Sequence, residues 1–292
     1  MNRLPIEKRV QIINLLVEGM SMRAVSRVAD VSINTVTKLL EEVGAACLDY
    51  QDKAMRKLNC RRVQCDEIWA FCNMNAKNVP PELKGILGYG DVYTWVAVDA
   101  DTKLVPCWHV DTRDAQAAAE FIDDLAGRLA HRVQLTTDGH GAYLSAVADS
   151  SNGHIDYAML VKQYGDAPAH EASRKYSPSA FQGCHKQTIS GYPDVEHIST
   201  LFVERQNLTM RMHMRRFTRL TNGFSRKVEN LAHAVSLHYC FYNFAKVHKT
   251  LRVTPAMEAG IADHVWAIEE IVRLAPEPEA KKRGPYKARR TI

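Results

Sequence analysis

Residues 62–71, RVQCDEIWAF, and residues 91–99, DVYTWVAVD, decide the fold of this chain, because both are rich in β-branched and aromatic residues. Such runs are typical of β-strands. Residues 104–110 have the same character, and residues 101–103, DTK, form a suitable turn before them. The sequence therefore predicts three consecutive strands, which is the beginning of a β-sheet.

The segments that follow alternate between helix and strand. Residues 115–130 are rich in alanine and predict a helix, and residues 133–137 predict a short strand that ends at Asp138. Three strands, a helix and a further strand form an α/β pattern, so we expect a mixed sheet with helices on its faces. Residues 165–200 predict a loop-rich insertion, and residues 200–248 predict helices broken near Gly223.

The first 45 residues predict an all-α helix-turn-helix domain. Gly19 ends a first helix, residues 22–29 form a second, and Ser32 caps a third that ends at Gly44. Two helices joined by a tight turn match a DNA reader, in which the start of the second helix meets base edges. A helical dimerisation bundle is the alternative. The predicted DNA contacts on this helix are Ser32, Asn34, Thr35, Thr37 and Lys38.

Positive charge is concentrated in two segments. The chain of 292 residues has a net charge of +5. Residues 205–227 contain seven Lys or Arg and no acid, residues 281–290 contain six and no acid, and the remainder is net acidic. Clustered cations of this kind indicate a polyanionic partner such as DNA.

Other classes of protein fit the composition poorly. No apolar run approaches the length of a membrane span, and the first residues lack the apolar core of a signal peptide. Seven scattered cysteines predict reduced, buried thiols rather than disulfides or a zinc site. We therefore expect a cytoplasmic protein.

Three acidic residues are candidates for a metal site. Asp66 and Asp138 fall at or near the ends of predicted strands, and Glu204 lies near the start of a helix. Such positions converge on one rim of an α/β sheet, where clustered carboxylates need a cation to offset their repulsion. Two Mg²⁺ ions, with Mn²⁺ able to substitute, suit in-line phosphoryl transfer there. Glu67 should alternate to the opposite face of the strand. On the residue pattern alone, ordinary surface carboxylates are the alternative.

The residues around these carboxylates resemble a known family. The motifs CDEIW at 65–69, TDGHGAY at 137–143 and VERQN at 203–207 occur in the order used by DDE transposases. The stretch from Glu204 to 244 and the motif HKTLRVTPA at 248–256 resemble the insertion sequence 1 family in particular. The resemblance spans about residues 60–260. It implies a ribonuclease H-like core in which Asp66, Asp138 and Glu204 are the catalytic, metal-binding triad.

Helical spacing adds candidate DNA contacts beyond Glu204. Four further residues follow it at offsets of 3, 7, 11 and 15, which lie on one helical face. Guanidinium groups there would grip phosphates bidentately. These residues are Asn207, Arg211, Arg215 and Arg219.

Together these features predict a DNA transposase with four segments: a helix-turn-helix domain (1–45), a connecting helix (46–59), a ribonuclease H-like catalytic domain (60–260, with the loop-rich insertion 165–200) and a C-terminal helix with a basic tail (261–292). Its partners would be the terminal inverted repeats and target DNA, bound by a homo-oligomer near the bacterial nucleoid. A nuclease that cuts without joining and a noncatalytic DNA-binding regulator are the alternatives.

Overall fold

Three helices open the chain in the computed structural model, which describes residues 4–151, 155–165, 179–218 and 221–277. They are α1 (Ile6–Val17), α2 (Met22–Val28) and α3 (Ile33–Ala54). The Ser32 hydroxyl accepts a hydrogen bond from the Thr35 amide at 3.1 Å, which caps α3 as its sequence predicts. Gly19 has a φ of 85° and ends α1, again as predicted.

The prediction that Gly44 ends the third helix is wrong, and so is the prediction of a separate connecting helix. Helix α3 runs without a break to Ala54. A Cβ atom at Gly44 would lie 2.6 Å from the carbonyl oxygen of His233, which belongs to a helix packed against α3. Glycine is needed here for close helix packing rather than for chain reversal.

Six strands form one mixed sheet. They are β1 (Arg62–Cys72), β2 (Gly90–Asp99), β3 (Trp108–Asp111), β4 (Gln134–Asp138), β5 (Asp156–Tyr164) and β6 (Phe181–Ser190). Their order is β3-β2-β1-β4-β5-β6, with β1, β4 and β5 parallel and the other neighbours antiparallel. The predicted α/β class, a ribonuclease H-like mixed sheet flanked by helices and preceded by an all-α segment, is confirmed.

The remaining helices lie between and after the strands. They are α4 (Ala115–Arg128), α5 (Ala142–Ser151), α6 (Leu201–His213), α7 (Val228–Cys240), which continues as a π-helical turn (Phe241–Ala245), α8 (Pro255–Glu258) and α9 (Ile268–Arg273). Single 3₁₀ turns occur at Ala76–Asn78, Pro81–Leu83, Val195–His197 and Arg215–Phe217.

Two expectations about the second half of the chain are wrong. Strand β6 lies inside the stretch predicted to be loop-rich, because it pairs with β5 and forms an edge of the sheet. The helix after Glu204 ends at His213, well before Gly223, so Arg215 lies in a 3₁₀ turn rather than on the predicted helical face. Arg219 and the basic tail lie outside the described residues.

The N-terminal helices share a hydrophobic core with the sheet. Ile12 and Leu40 belong to the same buried cluster as Trp95 and Val235. The Gln51 amide donates to the Ser236 carbonyl oxygen at 3.1 Å and so joins α3 to α7. The seven cysteines are free thiols. Among the described residues, no helix combines the length and apolar character needed to cross a bilayer.

Replacing Gly44 with alanine tests the close packing of α3. Alanine normally stabilises a helix interior by about 1 kcal/mol relative to glycine. At Gly44 we expect the opposite, a loss of about 1 to 3 kcal/mol in the free energy of unfolding, because the new methyl group would overlap the His233 backbone. Denaturant unfolding measures the change. The control is Gly127→Ala in α4, which is exposed and should stabilise; a stabilised Gly44→Ala would contradict the packing.

Candidate active site

Asp66 and Asp138 lie side by side because β1 and β4 are parallel neighbours. The shared ladder ends at the pair Cys65 and Thr137, and the next residue on each strand is an aspartate. The expectation that Asp66 lies at the end of its strand is wrong, since β1 continues to Cys72. What ends at this point is β4, which exposes the rim of the sheet. Both side chains therefore meet at one position, although their strands differ in length.

Glu67 joins these two aspartates. One carboxylate oxygen each from Asp66, Glu67 and Asp138 lie within 4.8 Å of one another. The Glu67 side chain is only 2% exposed, and its Oε2 accepts a hydrogen bond from Arg113 Nε at 3.0 Å. The sequence predicts that Glu67 alternates to the opposite face of the strand, yet its carboxylate reaches the two aspartates. Strand alternation sets the direction of Cβ, but not the position of a carboxylate that is one methylene beyond it.

Helix α6 brings Glu204 towards the same rim. The Gln64 side-chain oxygen in β1 accepts hydrogen bonds from the Phe202 and Val203 amides, at 2.8 and 3.2 Å, which fixes the start of α6 on the sheet. From the next part of α6, Asn207 Nδ2 donates to Asp66 Oδ2 at 2.9 Å. These bonds place the helix that carries Glu204 directly against the strand that carries Asp66.

The Glu204 carboxylate has other partners in this structure. Lys162 on β5 places its Nζ 2.5 Å from Glu204 Oε1, and the Thr200 hydroxyl donates to the same oxygen. Glu204 is outside the group of three carboxylates that lie within 4.8 Å. Its charge nevertheless contributes to the raised pKa of Asp66. No sequence motif pointed to Lys162.

Burial and mutual repulsion perturb the carboxylates of this cluster. Burial, followed by the charge of Asp138, raises the pKa of Asp66 to about 6, against the Glu67 amide and the Asn207 side chain, which lower it. Burial and Asp138 also raise the pKa of Glu67 to about 7, against the opposing charge of Arg113. Carboxyl groups with such shifts are typical of functional sites and of cation-binding positions.

The predicted DNA contacts of α3 differ in their availability. Ser32 and Thr35 share a hydroxyl contact of 2.9 Å, and the Thr37 hydroxyl donates to the Ile33 carbonyl oxygen at 2.9 Å. Asn34 and Lys38 are exposed. In the second predicted group, Asn207 is buried against Asp66, Arg211 is half-buried on α6, and Arg215 is exposed after its end.

Four strands of the sheet, β2 to β5, lie in a segment that matches a family model. Residues 88–165 match the family model DDE_Tnp_IS240, a DDE domain. This segment includes Asp138 but neither Asp66 nor Glu204. No curated protein matches the chain.

The solved structures similar to the chain include three transposase complexes, all with low TM-scores. They are a Mos1 transposase paired-end complex with left transposon end (15% identity, 54% of this chain and 60% of that chain, TM-score 0.24), a pre-cleavage Mos1 transpososome (15%, 54% and 60%, 0.23) and a piggyBac transposase synaptic complex with hairpin DNA (10%, 94% and 73%, 0.37). The match thus spans 60% of the Mos1 chain's length.

Over residues 88–165, the chain is similar to the DDE domain of an insertion-sequence family. The resemblance to insertion-sequence transposases is confirmed. The particular model that matches is IS240, and not the insertion sequence 1 family that the C-terminal motifs resemble.

The raised pKa of Asp66 predicts a pH-dependent gain in stability from Asp66→Asn. Unfolded carboxyl groups ionise near pH 4, whereas folded Asp66 holds its proton until about pH 6. Between these values the folded state binds more protons, so its stability falls as pH rises. In chelator at neutral pH, Asp66→Asn should therefore be more stable than the wild type by on the order of 1 kcal/mol, with the difference disappearing near pH 4.

Denaturant unfolding at several pH values measures this difference. The control is Asp49→Asn, an exposed aspartate on α3, which should change stability by less than about 0.5 kcal/mol at any pH. A gain in Asp66→Asn that is the same at every pH would show that the charge of Asp66 is not its cause.

Proposed function

We propose that this chain is a DNA transposase that binds insertion-sequence ends and catalyses strand cleavage and strand transfer by in-line phosphoryl transfer. The observation that carries the proposal is the meeting of Asp66 and Asp138 at the end of the β1–β4 ladder, within a sheet of which strands β2 to β5 match a DDE domain. Glu204, on the helix fixed to β1 through Gln64, is the proposed third member of the triad.

The donor set fits a divalent cation. Carboxylate oxygens are the ligands that Mg²⁺ and Mn²⁺ favour, and the repulsion that raises the pKa of Asp66 is of the kind a cation relieves. Asp66, Asp138 and Glu204 are the proposed ligands of two Mg²⁺ ions, with Mn²⁺ able to substitute. When bound, the ions would supply activation of the attacking oxygen and neutralisation of charge on the leaving oxygen.

Neighbouring side chains orient these carboxylates. The Asn207 amide fixes one oxygen of Asp66. Arg113 lies between Glu67 and Asp138, with its Nε 3.0 Å from Glu67 and its second guanidinium nitrogen 3.8 Å from Asp138 Oδ2. Glu67 therefore supports the arginine that faces Asp138, and Lys162 neutralises Glu204 where no cation does so.

The N-terminal helices would recognise the transposon ends. Asn34 and Lys38 are the exposed polar residues at the start of α3 and would contact bases and phosphates, with Ser32, Thr35 and Thr37 alongside. Arg211, Arg215 and Arg219 would position DNA strands. Bringing two ends together requires at least two copies of the chain, and we expect it to act in the bacterial cytoplasm at the nucleoid. A noncatalytic regulator would have no use for buried carboxylates whose repulsion lowers stability.

The test is a cleavage and joining assay on a duplex that the protein selects from a randomised pool. With Mg²⁺, the wild type should release 3′-hydroxyl ends and join them to a plasmid. Asp66→Asn, Asp138→Asn and Glu204→Gln should each lose roughly a thousandfold or more in rate while still binding DNA. The control is Glu269→Gln, an exposed residue on α9 paired with Arg273.

Results that differ from these would each support a different alternative to a transposase with this triad. Cleaved ends that are never joined would identify a nuclease. Binding without cleavage would identify a regulator. Full activity in the three carboxylate variants would show that these residues are not the catalytic triad.

Lys162→Met tests whether lysine and cation compete for Glu204. Without the lysine, Glu204 should bind a cation more readily. The affinity for Mn²⁺ in the absence of DNA should therefore tighten by roughly three- to tenfold, which corresponds to the energy of a partly exposed ion pair. Isothermal calorimetry measures it. The control is Lys186→Met on β6, whose ammonium donates to the Val195 carbonyl oxygen instead. Weaker Mn²⁺ binding in Lys162→Met would show that the lysine orients Glu204 rather than competing for it.

A further inference from the structure

A groove of about 1000 Å³ separates the N-terminal helices from the catalytic part of the chain. One wall is formed by the end of α1, by α2 and by the start of α3, including Asn34 and Thr37. The other wall is formed by residues within 213–216 and 221–226 and by α7. We call this the interdomain groove. The residues proposed to read DNA bases therefore lie at the edge of a cavity that the catalytic part completes.

The lining of this groove is entirely cationic among its charged residues. Its described lining includes four arginines and two histidines but no aspartate or glutamate. Arg23 on one wall and Arg215 and Arg226 on the other are exposed. Such a lining complements a polyanion.

Three arginines of the groove differ from other arginines of the chain because they form no ion pair with a carboxylate among the described residues. Six arginines elsewhere lie within 4.0 Å of a carboxylate: Arg56, Arg62, Arg113, Arg128, Arg132 and Arg273. Within the described ranges, Arg23, Arg215 and Arg226 make no such ion pair. Their charge is available to a ligand.

Both walls of the groove are held in place. The Arg216 guanidinium is buried and donates to the Ser225 hydroxyl, and a Cβ atom at Gly223 would lie 2.8 Å from the Arg215 carbonyl oxygen. These contacts hold residues 215–216 against residues 223–225, and Arg215 and Arg226 line the same cavity. At the other wall, a Cβ atom at Gly19 would lie 3.1 Å from the His213 carbonyl oxygen, so α1 ends directly against α6.

A buried polar side chain adds unused hydrogen-bonding capacity. His238 lines the groove and is 4% exposed, and neither of its ring nitrogens has a hydrogen-bond partner among the described residues. Buried polar groups are normally paired. An occupant of the groove that carries hydrogen-bonding groups, directly or through water, would supply the missing partner.

We infer that the interdomain groove takes the sugar–phosphate backbone of the same DNA duplex whose bases face the start of α3. The helix-turn-helix and the catalytic part of one chain then close on one DNA segment, with Arg23 on one side of the backbone and Arg215 and Arg226 on the other. The inference rests on the proposed function. It adds a second, sequence-independent DNA contact that the helix-turn-helix motif alone does not contain.

Salt-dependent binding of a random-sequence duplex of about 30 base pairs tests the groove. Arg23→Ala, Arg215→Ala and Arg226→Ala should each weaken binding by roughly five- to tenfold and make the slope of log K against log salt concentration shallower by about 0.9. In the double variant Arg23→Ala with Arg226→Ala, the two losses of affinity should combine, and so should the two changes of slope. The matched control, Arg273→Ala, removes an arginine that is paired with Glu269 outside the groove and should leave the slope unchanged.

Hydrogen exchange supplies a second measurement that does not depend on substitutions. The same duplex should slow exchange of backbone amides in both walls, residues 20–37 and 213–218 together with 221–226. Protection of the N-terminal wall alone, or unchanged salt slopes in all three arginine variants, would overturn the inference. If polyglutamate of matched charge protects the same amides as strongly as the duplex does, the groove holds an acidic peptide instead of DNA.

Failure of the groove and failure of the proposed function give different results. If Asn34→Ala and Lys38→Ala weaken DNA binding but the groove variants do not, the chain reads DNA through the helix-turn-helix alone and the groove inference is wrong. If the wild type binds neither the random duplex nor any duplex from a randomised pool, the proposed function itself fails.

Discussion

The parallel pairing of β1 with β4 is the constraint on which the candidate site depends. The ladder extends from Arg62 and Gln134 to Cys65 and Thr137, and both strands then continue into aspartate. Hydrogen bonding of the backbone thus forces two carboxylates together at a half-buried position, where burial and the charge of Asp138 raise the pKa of Asp66. Fully buried side chains such as Trp95 and Leu135 support these strands, so the hydrophobic core offsets the unfavourable charge. The sheet is therefore a scaffold stable enough to hold an unfavourable group of charges.

A continuous set of contacts joins the N-terminal helices to these carboxylates. Helix α3 packs on α7 at Gly44 and through the bond from Gln51 to Ser236. On α7, the Tyr239 hydroxyl lies 3.5 Å from the Met210 sulfur on α6, one turn beyond Asn207, which holds Asp66. The helix that would read DNA and the helix that supports the site are therefore parts of one packed body. Their relative position is set by side-chain packing rather than by a flexible linker.

Local signals in the sequence were sufficient for much of the fold. Caps and turns such as Ser32 and Gly19, and the β-branched runs of β1 and β2, act over a few residues and were correctly interpreted. Errors arose where a distant segment decides the outcome. Gly44 depends on His233, strand β6 depends on pairing with β5, and the Lys162–Glu204 pair joins residues 42 positions apart, which no local pattern encodes. The site was likewise predicted from strand ends and family motifs, whereas the inclusion of Glu67 follows from side-chain length.

Because α6 ends at His213, the basic segment that follows it does not lie on the helical face where the sequence predicts it. On one long helix, Arg211, Arg215 and Arg219 would have shared the face of Glu204 and would have gripped DNA phosphates next to the carboxylates. Instead the chain turns at Met214, and Arg215 and Arg226 line the cavity beside α1, α2 and α3. Of the arginines predicted to share the face of Glu204, Arg211 lies on α6, which also carries Arg205. The cations between residues 205 and 227 therefore do not lie on one helical face. The exposed Arg215 and Arg226 lie towards the N-terminal helices, where a duplex backbone would run alongside the bases being read.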